Sequence, residues 1–406
     1  MGVHHKQSFP FSLSRFDVRH HGALPSLAMN RILGGAATGI VGIFFPIFLY
    51  EFFDLSIMMV IGWFAASYLS RIPILIWAAK IFSKTGLTAS MFIGSVWWII
   101  TMLIFFTLDA VPTFFPYLLL AVSGVTISLI SAFYWTPFHV DFAQFSTKGH
   151  RGRQIGIFYA IQRLVGVVAP MIGGALIAWV SYSASFLAAV ALVILSMIPL
   201  AFLPRSEVEY EFGFWETFQK LFNKRFRFLT LSMIALGAEN IVGVVIWPIF
   251  LFQIFRGEYL EVGAFAAVIV VISLALQLGL GKILDKSSQK KWLHWGVDLY
   301  ALGWFMKAFV DTVAGVFAVS TFHSLGSIMM RTPLDVMTYE KAADSGHYID
   351  EYTTIREIAL NIGRVLMLVL LIGVTAHVSI PASFIVAAAA SFGVTFLVRY
   401  HADMPS

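Results

Sequence analysis

The chain has 406 residues, of which 59% are apolar and 12% charged, with a formal net charge of +5. So little charge cannot cover a soluble domain of this length, and the apolar residues come in long runs, so the chain is a polytopic membrane protein. The basic excess then records topology rather than nucleic-acid binding, and the lack of cysteine excludes disulfides and thiolate metal sites.

Residues 1–26 are basic and mixed, without the apolar core and small-residue cleavage site of a signal peptide. They read as a cytoplasmic tail, with the pairs His4-His5 and His20-His21 solvated rather than metal-binding. Apolar runs long enough to cross a bilayer follow at 28–53, 57–80, 87–108, 113–135, 155–180 and 182–203. A linker at 204–227 contains EFGFWETFQKLFNKRFRF, in which Phe214, Phe218 and Phe222 recur at helical spacing beside Trp215. That pattern predicts an amphipathic helix lying in the membrane interface. Runs resume at 228–254, 261–281, 292–310, 313–334, 354–376 and 379–398. The expectation is an all-α fold of twelve transmembrane helices in two six-helix bundles, 27–203 and 228–400.

Lysine and arginine cluster after the even-numbered helices, as at Lys80, Lys84, Lys148, Arg151, Arg205, Lys220, Lys282 and Lys286. The other gaps carry acids instead, including Glu51, Asp54, Asp109, Glu258 and Asp311. Positive-inside places both termini and the linker in the cytoplasm, with the chain in the cell (inner) membrane.

Sliding the second half onto the first by about 202 residues aligns Gly35-Ala36 with Gly237-Ala238 and Pro46-Ile47-Phe48-Leu49 with Pro248-Ile249-Phe250-Leu251. In the same register Lys80-Ile81 meets Lys282-Ile283, Lys84 meets Lys286 and Asp109 meets Asp311. One register across three helices indicates a parallel duplication. Each proline also removes a backbone hydrogen bond from the first helix of its half.

These features resemble the major facilitator superfamily over nearly the whole chain after residue 27. The family's signature loop after the second helix is Gly, three residues, Asp, a basic residue, one residue, Gly, then two basic positions. GKILDKSSQK supplies Gly281, Asp285, Lys286 and Lys290, while the first-half copy AKIFSKTGLT keeps Lys84 and Gly86 but has lost the acid. The physical role of such a loop is a latch. The glycine lets helices approach, and the acid accepts hydrogen bonds from the other half at the water boundary. An ordinary basic loop is the alternative. In helix five, GVVAPMIGG resembles the signature of the family's proton-coupled exporters, with Pro170, Gly173 and Gly174 bending and thinning the helix where the halves meet.

The resemblance implies that helices one, four, seven and ten line a cavity, that two, five, eight and eleven flank it, and that three, six, nine and twelve face lipid. Charges deep in apolar runs include Arg71, Arg163, Glu239 and Arg364, on helices two, five, seven and eleven, where a charge must face protein or a watery cavity. Asp298 and Lys307 lie toward the ends of helix nine, where snorkelling is expected. Trp97 and Trp98 in helix three are expected to face lipid.

Glu239, beside Asn240 and with Ala37 as its repeat partner, is the candidate proton carrier. The alternative is a static ion pair with Arg364 or Arg163. His323 is a candidate relay or a hydrogen-bonded interior residue. Arg364 with Asn361, and Arg163 in helix five, can flank a cavity and hold an anion, or be paired by Glu357, Asp335 or Glu239. Arg71 beside Pro73 belongs to a gate or the cavity, and Arg356 with Glu357 to a cytoplasmic gate. Tyr134, Trp135 and Trp247 can form an aromatic wall, or simply anchor and pack.

The reading is a secondary transporter of a small amphipathic or anionic solute, working by alternating access, coupled to protons through Glu239 and tilted toward export. A proton-independent uniporter or symporter, or a lipid flippase on the same fold, is the alternative. No cofactor is called for, the partners are solute, protons and bilayer, and a monomer is expected. A membrane enzyme is disfavoured: neither HExxH nor Gly-x-Ser-x-Gly occurs, and His139 with Asp141 lacks a nucleophile.

Overall fold

The computed structural model describes residues 23–108, 115–139, 151–203, 213–224, 226–285, 288–344 and 349–398, with side chains except at 23–24, 151–160, 281–285, 339–344 and 349–351. Residues 1–22 of the predicted tail, with its histidine pairs, and Asp141 lie outside the described residues, whereas 23–26 already belong to the first helix. The described residues are helical throughout, apart from short turns, and contain no strand. Ten helices are long and apolar enough to cross a membrane. They are α1 (Pro25–Phe52), α2 (Ile57–Thr85), α3 (Leu87–Thr107), α4 (Phe115–His139), α5 (Arg151–Trp179), α6 (Tyr182–Leu200), α7 (Arg227–Ile254), α8 (Tyr259–Asp285), α10 (Val313–Asp344) and α11 (Ile349–His377). Two more occupy the remaining predicted positions. α9 (Gln289–Lys307) is more polar, and α12 (Ala382–Val398) is shorter.

The internal repeat is visible in the backbone. α1 is interrupted after Gly42 and restarts at Phe45–Phe52, with Pro46 in its first turn, where a missing N–H costs nothing. α7 widens into a π-turn at Val242–Ile246 and restarts at Trp247–Ile254, with Pro248 in the matching place. The two restarted segments are 202 residues apart. The following turns match as well: Asp54 and Leu55 have φ of 50° and 65°, and Arg256 and Gly257 have φ of 53° and 86°. Three of these four are non-glycine residues held in a left-handed conformation, and the turn is nonetheless built twice.

Glycines set the closest approaches. A Cβ at Gly94 would lie 2.6 Å from the Tyr134 nitrogen, so α3 runs against the backbone of α4. Its repeat partner Gly296 does the same for α9 and α10, with Met330 nitrogen 2.3 Å away. Within each half the first helix also meets the fifth: a Cβ at Gly173 would collide with the Ile40 carbonyl, and one at Gly363 of α11 would collide with the Ile234 carbonyl of α7. Between the halves, α5 packs on α8 and α2 packs on α11. A Cβ at Gly174 would lie 2.7 Å from the Tyr259 carbonyl, and one at Gly263 would lie 2.5 Å from the Pro170 carbonyl. Pro170 and Gly174 thus lie against the opposite half, whereas Gly173 packs on α1 of its own half.

The linker forms a helix at Phe214–Leu221 that packs on α2 and α11, one helix from each half. Leu221 is buried, whereas Trp215 and Phe222 are 74% and 66% exposed. That division fits a helix with one face on protein and one toward lipid head groups. Trp98 corrects an expectation: it is buried, edge-on to Tyr134 at 5.5 Å, because Gly94 brings α4 close enough to cover it.

Filling Gly296 tests this packing. Gly296→Ala should destabilise the protein in detergent micelles by about 1–3 kcal/mol through overpacking. Gly62→Ala, where a Cβ would meet nothing within 4 Å, should be neutral or stabilising by about 0.5–1 kcal/mol through helix propensity. Thermal unfolding of the two variants reads the difference.

Candidate functional site

The ionisable side chains buried in the second half converge on one place. Glu239 is 0% exposed and is the only carboxylate in the fully buried set among the described residues. Its Oε1 accepts from Arg331 Nη2 at 3.0 Å, and its Oε2 accepts from the Tyr300 hydroxyl at 2.7 Å. Three helices, α7, α9 and α10, thus meet through one carboxylate. Arg331 is 38% exposed on the pair's other side, so the pair is closed to protein on the acid's flank and open on the guanidinium's. The paired alternative foreseen for Glu239 named Arg364 or Arg163. The structure supplies Arg331 of α10 instead, while Arg364, although α11 packs on α7, reaches Asn240 rather than Glu239.

Beside that pair, Lys307 is 4% exposed. Its Nζ lies 3.9 Å from the Trp247 ring centre, 4.3 Å from that of Trp304 and 3.3 Å from Nδ1 of His323. The expected snorkelling of Lys307 is therefore wrong. α9 turns this face onto α10, and two indole faces and an imidazole hold the ammonium inside. Asp298, by contrast, is exposed. His323 stacks on Tyr300 at 4.2 Å and stands edge-on to Trp304 at 4.7 Å. These residues surround a cavity of about 290 Å³, whose lining includes Asn240, Trp247, Tyr300, Lys307, His323 and Arg331.

Asn240 connects the cavity to the seam between the halves. Its Oδ1 accepts from Arg364 Nη2 at 3.5 Å, and Arg364 Nη1 donates to Asn361 Oδ1 at 3.1 Å. Asn361 in turn donates to the Glu357 carbonyl at 2.7 Å. The Arg364 guanidinium lies 5.1 Å from the Tyr68 ring centre, and that of Arg71 lies 4.5 Å from the same ring. Arg364 thus shares its aromatic neighbour with Arg71 across the α2–α11 contact. Arg356 pairs with Glu357 at 3.0 Å. Arg163 is half-buried on α5.

Tyr134 and Trp135 stand apart from Trp247, in the other half. The Tyr134 hydroxyl donates to Asn30 Oδ1 at 2.7 Å, and Asn30 Nδ2 donates to the Ser196 carbonyl at 2.7 Å. This neutral clamp ties α1, α4 and α6 together. Arg31 lies 4.2 Å from the Trp135 ring centre. Lys84 is exposed, Lys286 lies outside the described residues, and so do the side chains of Gly281 and Asp285.

A contact between the halves exists at the bundle end remote from the chain termini. Glu51, where α1 ends, accepts from Tyr182 of α6 at 2.7 Å and from Tyr259 of α8 at 2.5 Å. Beside it, Gln253 Nε2 donates to the Tyr50 hydroxyl at 3.1 Å, again across the halves. Gln253 is the repeat partner of Glu51. Sequence reasoning took Glu51 as a loop acid and passed over Arg331, Tyr300 and Arg31. Arg331 and Arg31 each interrupt an apolar run, the same signal that singled out Arg71 and Arg364.

The Major Facilitator Superfamily model matches residues 27–349. The chain belongs to this family. Solved structures with the same fold include the human organic anion transporter MFSD10 (TM-score 0.68, 11% identity, covering 93% of this chain and 99% of that one). A POT family transporter in complex with a thioalcohol-conjugated peptide scores 0.66 at 13% identity, covering 93% and 96%. The Escherichia coli fucose:proton symporter FucP scores 0.65 at 14% identity, covering 94% and 98%. No curated protein sequence matches the chain. At these identities the likeness shows the fold alone. Family and fold together make the chain a multi-span membrane protein of secondary transport, a transporter rather than an enzyme.

The Glu239–Arg331 pair makes a direct prediction. Arg331→Gln leaves a buried carboxylate without its cation, and the open side of Arg331 holds the cost to the low end of the range, about 3 kcal/mol. Adding Glu239→Gln should recover more than half of that loss. Unfolding of the two single variants and the double variant gives the coupling.

Proposed function

We propose that the protein moves a small solute by alternating access of its two halves, coupled to protons through Glu239. The observation that carries this reading is the buried carboxylate whose counter-ion, Arg331, reaches the open side of the site. A rearrangement that draws Arg331 away leaves Glu239 in a low-dielectric pocket with Tyr300 alone. The acid then takes up a proton, and it gives the proton back when Arg331 returns. The coupling element is thus a pair with two arrangements, and solute and proton both bias it.

Glu51 supplies the gate at the remote end. One carboxylate binds phenols from both halves, and with the Gln253–Tyr50 bond these make three hydrogen bonds at a water boundary that can break and reform in each cycle. The motif at Gly281, Asp285 and Lys286 is the corresponding latch at the cytoplasmic end, the side of the inner membrane on which both termini lie. Direction is proposed as export in exchange for protons. Its support is the helix-five resemblance, with Pro170 and Gly174 lying on the α8 backbone, where a thinned contact permits sliding.

Two measurements test this. In everted vesicles, a transported solute should collapse an imposed pH gradient with the wild type and not with Glu239→Gln. Equal collapse by the variant removes Glu239 from coupling. For the gate, the absence of native cysteine allows a single Ser324→Cys probe in the cavity lining. Its labelling by an impermeant maleimide from the Glu51 side should rise several-fold when Glu51→Ala is added; unchanged labelling would remove the latch.

A further inference from the structure

Two cations, Arg331 and Lys307, line the cavity in the second half, and no carboxylate lines it among the described residues. Arg331 is offset by Glu239 at 3.0 Å. No ion pair to Lys307 forms among the described residues, although its side chain is buried. A buried ammonium facing two indoles and an imidazole is a costly arrangement for packing alone. It becomes favourable when a bound group supplies the missing negative charge.

The neighbouring polar atoms point the same way. The Lys307 ammonium donates to His323 Nδ1, which places the ring proton on Nε2. That Nε2 is buried and has no partner. Ser320, three residues earlier on α10, is 4% exposed, lines the cavity, and its Oγ also lacks a partner. An ammonium, an imidazole N–H and a hydroxyl therefore meet at one wall with unspent hydrogen-bonding capacity. The lining also includes Trp247, Phe265 and Ile269. The volume, about 290 Å³, lies at the small end of ligand cavities.

We propose that this cavity, set within one half, binds a small organic monoanion. Its carboxylate-type head lies on Lys307, His323 Nε2 and Ser320, and its apolar body lies against Trp247, Phe265 and Ile269. The proposal rests on the transport reading above and gives its substrate class. Arg331 lines the same cavity, so the bound anion and the Glu239–Arg331 pair belong to one site.

The test uses the purified full chain in detergent and three probes of one shape: benzoate, benzylammonium and benzyl alcohol. Benzoate should raise the unfolding temperature in a concentration-dependent way, and the cation and the alcohol should not. Lys307→Met should weaken benzoate binding by about tenfold or more, as expected for loss of a charged hydrogen-bond partner, and Ser320→Ala by about threefold. Without ligand, Lys307→Met should be at least as heat-stable as the wild type, because the unpaired charge is gone. Should Lys307→Met fail to fold, that prediction is lost and Ser320→Ala carries the binding comparison. The anion site is overturned if benzylammonium or benzyl alcohol stabilises as well as benzoate, if neither benzoate nor the smaller acetate and lactate stabilises, or if both variants bind benzoate as the wild type does. If benzoate binds through Lys307 but moves no protons in vesicles, the anion site stands and the proton-coupled reading falls.

Discussion

Inside hydrocarbon a charge that finds no partner is so costly that it dictates which way a helix must face. α7, α9 and α10 are turned toward one another by that constraint. Glu239 needs a cation and a hydroxyl, and Arg331 and Tyr300 supply them from the two neighbouring helices. Lys307 follows, since a helix rotated to present Tyr300 also brings its last turn inward between Trp247 and Trp304. The close backbone contact at Gly296 makes the rotation possible, for a side chain there would hold α9 away from α10. The polar site and the glycine packing are therefore one arrangement described at two depths.

Much of the fold was readable beforehand because the signals are one-dimensional. Apolar run length finds helices, basic residues sort the loops, and a fixed offset finds the repeat. The offset survives even in the paired left-handed turns at Asp54 and Arg256. The rotation of each helix about its axis was much less legible. In a helix that is apolar nearly all round, periodicity carries little information on which face meets protein. This is why Lys307 was read as snorkelling and Trp98 as lipid-facing, and why the cation opposite Glu239 was sought on α5 and α11. The legible part of the site was the list of expensive residues: Glu239, His323, Arg71 and Arg364 all lie at helix contacts or the cavity. Which of them touch one another depended on three-dimensional neighbours at matching depth.

The two kinds of contact between the halves differ in chemistry, and each suits its place. The α5–α8 contact is backbone against small residues, with little that must be broken when surfaces slide. The Glu51 contact is a carboxylate between phenols at a helix end, where water can replace each bond. Between them, Arg364 and Arg71 both lie against the Tyr68 ring across α2 and α11, and Asn240 carries that seam into the cavity. A change in the cavity therefore has a connected route to the seam through a single amide side chain.

The halves have come from one ancestor and been put to different uses. Where the second carries an acid, three bases and an imidazole, the first holds its corresponding helices with the neutral Asn30–Tyr134–Ser196 clamp, and Ala37 stands where Glu239 stands in the other copy. A duplicated gene needs its chemistry in only one copy, leaving the other free to become a chassis. In the proposed reading the protein resembles a balance with a fixed arm and a weighed arm: the first half gives the reference against which displacement is measured, and the second responds to what is loaded. Selection on such a machine is expected to fall unevenly. The clamped half would tolerate drift wherever its shape is kept, and new cargo specificities would arise by altering a handful of positions in the responsive one.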